Sequence, residues 1–297
     1  MSLRTLLLLI LAVPALLVGG AMALGVTIPV PEWGRDYVLR FWIDPSDEPL
    51  ELPDVLGPDD PARPLIVIDA GHGGRDPGSI GTSGNTEVLE KDIVLAIAVA
   101  LRDQLVEAGG IRVALTRDDD TIVTLAQRPE IARQLEADLF LSIHADSGAE
   151  NTSVSGASIY TLSTEASSEA AARFAERENA ADALNGITIE GQSAQVSAIL
   201  VELSQQRTQD DATEFAALIE REGEGTIRFH PQTRRSAELA VLRAPDVPGV
   251  LFESGFVTNE DDRTRLTTDE GRAEYAAVLA RAIRVYFARR ANDRADQ

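Results

Sequence analysis

An apolar run that stops in a glycine-rich loop and reopens as a helix constrains this chain more than any other stretch. Residues 65–92 read LIVIDAGHGGRDPGSIGTSGNTEVLEKD. Leu65, Ile66, Val67 and Ile68 follow Pro64 as a β-favouring run, the pattern of a strand buried on both faces. Asp69 to Thr86 holds six glycines and a proline, so the backbone bends tightly and cannot continue the strand. From Glu90 onward, Ile93, Val94, Ile97, Ala98 and Leu101 recur at helical spacing. In an open α/β sheet, sites are built in the loops that leave the carboxyl ends of strands. His72 in this loop and a Glu at the mouth of the helix can face one small volume, as a pair of metal ligands would.

A glycine-rich turn between strand and helix also suits a phosphate, but the residues argue against one. The stretch has neither GxGxxG nor GxxxxGK[ST]. Glu87 and Glu90 at the helix opening would repel an anion. The chain has 48 acids against 27 bases, a formal charge of −21, which speaks against nucleic acid as a partner. The absence of cysteine excludes disulfides, thiolate metal sites and a Cys nucleophile.

The N-terminus reads as a secretory signal peptide, residues 1–23. Arg4 supplies a positive start, Leu6 to Val18 is almost wholly apolar, and Ala21-Met22-Ala23 is a cleavage pattern. No charged side chain lies between Arg4 and Glu32, which would also suit an uncleaved anchor. Gly19, Gly20, Pro29 and Pro31 weaken a spanning helix, so cleavage and a periplasmic chain with no stable membrane span are expected. Residues 24–63, rich in proline and acids, read as a tether.

The remaining chain, 64–291, reads as one domain ahead of a short tail, 292–297. After the opening unit, Gly109-Gly110 stops the helix. A strand follows at Ile111 to Thr116, a helix at Leu125 to Leu135 and a buried strand at Leu139 to Ile143. Gly156 to Leu162 and Ala240 to Leu242 are strand signals, and Gly249 to Phe252 is a last core strand. Residues 163–238 form a long, acidic, helical insertion before that strand. It is either a lid or a pair of helices covering the sheet. Gly271 to Arg290 closes the chain as a helix. This alternation predicts an α/β fold with a mixed, mostly parallel sheet flanked by helices.

His144 ends the run LFLSI as His72 follows LIVI, and Glu253 directly follows VLF. A plain core would not place polar groups there. His72, Glu90 and His144 make a His₂Glu set of the kind found in zinc hydrolases, and Glu253 remains as an acid–base group. Glu87 competes with Glu90 for the carboxylate role, and the pattern barely separates them. His230, in the polar RFHPQTRR, reads as a surface or loop-structuring residue.

GHGG-RDPGSIG, EKD-IVLAIA, ADLFLSIHAD and VLRAPDVPGVLFESGFVTN together closely resemble the zinc-dependent N-acetylmuramoyl-L-alanine amidases that cut bacterial peptidoglycan. The resemblance runs from about Leu65 to Phe287. It implies zinc bound by His72, Glu90 and His144, so it favours Glu90 over Glu87, and it assigns the catalytic role to Glu253. Hydrolysis of the bond between N-acetylmuramic acid and L-alanine, in wall remodelling and daughter-cell separation, is the activity it implies. The rivals are a catalytically silent peptidoglycan-binding regulator and a zinc peptidase acting within the stem peptide. The insertion resembles that of the division-associated members, where a helix occludes the zinc until an activator protein moves it. A bare carboxylate is a good fourth ligand. Glu178 is the first candidate for that ligand and Glu202 the second.

Overall fold

The computed structural model describes residues 50–149, 151–184 and 201–295. The expected signal peptide and residues 24–49 of the expected tether lie outside them. Six strands form the central sheet: β1 (Leu65–Ala70), β4 (Arg112–Leu115), β5 (Leu139–Asp146), β6 (Ala157–Leu162), β7 (Phe229–Ala237) and β8 (Gly249–Phe256). Their order is β4-β1-β5-β8-β6-β7. β4, β1, β5 and β8 pair in parallel, β6 runs antiparallel to β8, and β7 runs parallel to β6. The sheet is mixed and mostly parallel, as the alternation of elements predicts.

Alternation of side chains sorts the strands onto two apolar layers. Ile66, Ile68, Leu141, Ile143, Ile159, Val250 and Phe252 face one side. There they meet α1 (Glu90–Ala108), α5 (Val201–Gly223) and the closing helix α6 (Asp269–Ala295). Leu65, Val67, Phe140, Tyr160 and Leu251 face the other side, under α2 (Gln127–Gln134) and α3 (Glu169–Asn179). Both faces are covered, so β1, β5 and β8 are buried throughout, which is why they read as unbroken apolar runs.

Several elements differ from the sequence-based expectation. The glycine-rich loop contains a hairpin, β2 (Ile80–Ser83) with β3 (Thr86–Leu89), whose last residue leads straight into α1. Ala240–Leu242 is a 3-10 turn and not a strand. The helical stretch expected over 163–238 ends in nine residues of strand, β7. A parallel pair such as β6 and β7 needs a crossover, and α5 supplies it, burying Ala212, Phe215, Ala216 and Ile219 against the sheet. The short helix α4 (Ala181–Leu184) follows α3. A lid and a sheet cover are the two alternatives for this segment. The structure gives α5 to covering one face and lays α3 on the other. At the sheet's far edge, Leu56 exchanges backbone hydrogen bonds of 2.8 and 2.9 Å with Val113, so the end of the expected tether covers the β4 edge. Among the described residues, no helix is long and apolar enough to cross a membrane.

Candidate metal and acid–base site

β1 delivers the chain into the His72 loop, and two buried arginines hold that loop in place. Arg128 donates to the carbonyls of Ala70 and His72, both at 2.8 Å. Arg117 donates to Ala70 and Gly71 at 2.9 and 2.7 Å. His72 itself has a left-handed backbone, φ 59°, which a non-glycine residue adopts only when its surroundings fix it. Arg128 is anchored in turn by Asp69 at 2.7 Å, and Asp69 also accepts from Thr116 and Ser142 at 2.6 Å each. Burial alone would raise the Asp69 pKa. Arg128 and the two hydroxyls outweigh it and hold the carboxyl below its ordinary range.

Glycine is required where backbone meets ligand. A Cβ on Gly71 would sit 2.4 Å from His144 Cε1. One on Gly78, whose φ is 65°, would sit 2.6 Å from Glu90 Oε2. The sequence's glycine count therefore reports close approach as well as turning.

Three separate elements bring the expected ligands together. His72 comes from the loop, Glu90 from the first residue of α1 and His144 from inside β5. Asp76 lies 2.7 Å from His72 Nδ1, which places the proton there and leaves the Nε2 lone pair facing the cluster. That Nε2 is buried and makes no hydrogen bond. It lies 3.0 Å from Glu90 Oε1 and 3.6 Å from Glu178 Oε2. His144 Nδ1 lies 3.1 Å from Glu90 Oε1 and 3.3 Å from Glu178 Oε2. Ligand atoms on a tetrahedral zinc, with bonds of about 2.0–2.1 Å, stand about 3.3 Å apart. All four separations bracket that value, and the orphaned Nε2 has no other use in the fold. The donor set fits a metal ion. Glu87, the other candidate carboxylate, is exposed on β3.

Glu253 lies inside β8, not beyond its end, and pairs in register with His144 on β5 and Ser158 on β6. It is 1% exposed, and neither carboxylate oxygen has a hydrogen-bond partner.

Comparison with known proteins gives the chain a family. Residues 66–285 match the family model described as N-acetylmuramoyl-L-alanine amidase. The chain belongs to that family. The AmiA amidases of Salmonella typhimurium and Escherichia coli are each 37% identical, over 76% and 75% of this chain and 77% and 76% of their own. Among solved structures, the amidase AmiC2 of Nostoc punctiforme superposes with a TM-score of 0.54 at 28% identity, covering 76% of this chain and 97% of that one.

The electrostatics of the cluster favour one positive charge among several acids. Burial would lower the His72 pKa, but Glu90, Asp76 and Glu178 raise it well above the usual value. Burial works against ionised Glu90, yet His72 and His144 hold its carboxyl well below its ordinary range. Glu253 has no such support. Burial first, then Asp146, Glu90 and Glu178, push its pKa well up, against the opposing pull of Arg177. Asp146 is raised to about 6 by burial despite Arg177.

The cluster is closed by α3. The donor atoms of His72, His144 and Glu178 all lie within 4.8 Å of one another. Arg177 bonds Asp146 at 2.6 Å, and Phe174 stacks on Tyr160 with centroids 4.4 Å apart. At the helix end, Asn179 exchanges bonds of 2.8 Å with Glu238 and Ala240, and beyond it Asp182 accepts from Leu125 at 3.0 Å. The cavity left beside the histidines is about 10 Å³, room for roughly one water. Glu202, the other candidate occluding acid, has its side chain outside the described residues. His230 takes no part in the cluster. Its Nδ1 accepts from Gln232 and Arg235 at 3.0 and 2.7 Å.

Asp76, Asp69, Arg117 and Arg128 are the functional neighbours that sequence reasoning missed. Asp69 carries a readable signal, since it is a carboxylate inside an apolar run. The arginines carry none.

Proposed function

We propose that this amidase is zinc-dependent and hydrolyses the bond between the lactyl group of N-acetylmuramic acid and L-alanine in peptidoglycan. The carrying observation is the fit of His72 Nε2, Glu90 and His144 Nδ1 to one ion, with an unpaired carboxylate, Glu253, as the in-register neighbour of His144. Those three residues would hold the zinc. Bound there, the metal would polarise the amide carbonyl and acidify a water. The rest of the work falls to the chain. Asp76 fixes the tautomer of His72. Ser79 and Ala145 N–H groups, at 2.7 and 2.8 Å, hold Glu90 in its ionised, ligating form. Glu253, with its raised proton affinity, takes a proton from water at a carboxylate oxygen and returns it to the leaving amine.

The signal-peptide pattern supports a periplasmic enzyme, and the resemblance to division-associated members supports a role in daughter-cell separation. In the closed state Glu178 is the fourth ligand. An activator protein opens the site by binding the form with α3 displaced better than the closed one, since equal binding would shift nothing.

The test is mass spectrometry of purified peptidoglycan after digestion, with zinc measured in the same sample. Peptides beginning at L-alanine, with intact glycan strands, are expected. Cleavage inside the stem peptide would instead show a peptidase. Binding without cleavage by a zinc-loaded, α3-opened variant would show a silent regulator.

A further inference from the structure

α3 covers more than the metal site. Ser158 pairs with Glu253, and Tyr160 stands two residues further along β6 on the same face, roughly 7 Å away. Phe174 lies flat on the Tyr160 ring, with an interplanar angle of 24°. Beside Tyr160 on the next strand is Arg235 of β7, its register partner. Its guanidinium lies 5.8 Å from the ring centroid, and Nη1 donates to the Tyr160 hydroxyl at 3.1 Å.

Arg235 is unusual for a buried cation. It is 8% exposed, and its other contacts are the Gln232 carbonyl at 3.1 Å and the His230 ring at 2.7 Å. All of these partners are neutral. Among the described residues, no carboxylate lies within ion-pair distance of it, in a chain with 48 acids. Its neighbour Arg234, by contrast, pairs with Glu220 at 3.0 Å. A desolvated cation without a counter-ion is costly to keep, and an anion that arrived there would offset the cost. The guanidinium fork has N–H donors left over for the two oxygens of a carboxylate.

We propose that Tyr160 and Arg235 form a substrate subsite beside Glu253 that binds a carboxylate of the peptide being released, and that Phe174 covers it in the closed state. The subsite rests on the reading of α3 as a displaceable cover. With α3 lifted, the Tyr160 ring presents a flat apolar face to the peptide or sugar, and Arg235 fixes the peptide's acid. Both are on the sheet face that carries His144 and Glu253, so the bound acid would orient the chain leading to the scissile amide. α3 then blocks two positions at once: Glu178 stands at the ligand cluster and Phe174 on the peptide subsite.

The experiment uses the full chain carrying Glu178→Ala and Phe174→Ala, with and without Arg235→Gln. The substrates are N-acetylmuramoyl-L-alanyl-D-glutamate and its diamide. With Arg235 intact, the acid should have a KM about 10–100-fold lower than the diamide, the size of a lost charge-assisted hydrogen bond. Arg235→Gln should raise KM for the acid to that of the diamide, leaving kcat and zinc content unchanged. Arg235→Lys, which keeps the charge but not the fork, should restore part of the difference. Equal KM for acid and diamide with Arg235 intact would overturn the subsite, and this comparison does not depend on any Arg235 variant folding. A fall in kcat for both substrates in Arg235→Gln, with the KM ratio unchanged, would make Arg235 a structural tie between β6 and β7. The cover is tested separately. If Glu178→Ala and Phe174→Ala leave the basal rate at the parent's level, the reading of α3 fails, whatever the KM ratio shows.

Discussion

Glu178 Oε2 stands 3.3 Å from His144 Nδ1, although the whole of β6 lies between their two elements in the chain. The side chain reaches the histidines from the last turn of α3, whose C-terminal dipole end also favours a cation nearby. Ser168 caps the other end through the Ala171 N–H, so the helix is a complete unit and not a frayed loop. A carboxylate tethered at this distance competes with water for any ion held by His72, Glu90 and His144.

Glu178→Ala should therefore raise basal activity on purified sacculi, in the absence of any activator, by about 10–100-fold, the worth of one charged contact. Release of labelled fragments gives the rate. Asn179→Ala, which frees the helix end from Glu238 and Ala240, should add to the effect. A folded Glu178→Ala protein no faster than the parent would remove Glu178 as the block. Deleting the whole stretch from β6 to β7 would not make this test, because it also strips α5 from the sheet.

Glu253→Gln keeps the shape and removes the base. Hydrolysis should fall by roughly 10²–10⁴-fold while zinc remains bound. The variant should also be at least as stable as the parent above neutral pH, because Glu253 is an ionisable group with no partner for either oxygen. Loss of zinc in this variant would make Glu253 a ligand instead, and near-normal turnover would dismiss it as the base.

Much of this was legible in the sequence, for identifiable reasons. β1, β5, β8 and α1 announce themselves because a doubly covered sheet demands unbroken apolar strands and a helix demands its own spacing. His144 and Glu253 stand out because each interrupts such a run, and His72 because it follows one closely. β7 was not legible. It is an edge strand whose sequence FHPQTRRSA buries only Arg235 and Ala237, so no apolar pattern marks it. The β2–β3 hairpin was hidden because its glycines read as loop. Asp76, Arg117 and Arg128 were hidden for another reason. Arg128 acts on carbonyls 56 and 58 residues away in the chain, and such a contact has no local signature.

Removing ligands separates direct from supporting roles in the metal site. In a chain that also carries Glu178→Ala, His72→Ala and His144→Ala should each abolish stoichiometric zinc, since three donors leave none to spare. Asp76→Asn should keep zinc but weaken its affinity by about 10–100-fold, because the ring loses the partner that fixes its tautomer. Competition against a chromogenic chelator measures all three. Full zinc content in either His variant would overturn the ligand assignment.

The pair of Asp69 and Arg128 should govern acid stability. The folded pKa of Asp69 lies below its ordinary value of 3.8, so its contribution is complete above about pH 5 and is lost as the pH falls through the lowered value. Arg128→Met leaves a fully buried carboxylate facing only two hydroxyls, at a cost near neutral pH of about 3–5 kcal/mol. Burial then dominates, and the folded pKa of Asp69 rises above that of the unfolded chain. The sign of its pH dependence inverts. Urea unfolding, with chelator present in both proteins, should show the gap between parent and variant shrinking steadily on acidification, as Asp69 in the variant takes up its proton. A gap that stayed constant from pH 7 to pH 4 would mean that Arg128 acts only through the carbonyls of Ala70 and His72, and that the charge of Asp69 contributes nothing to holding the loop.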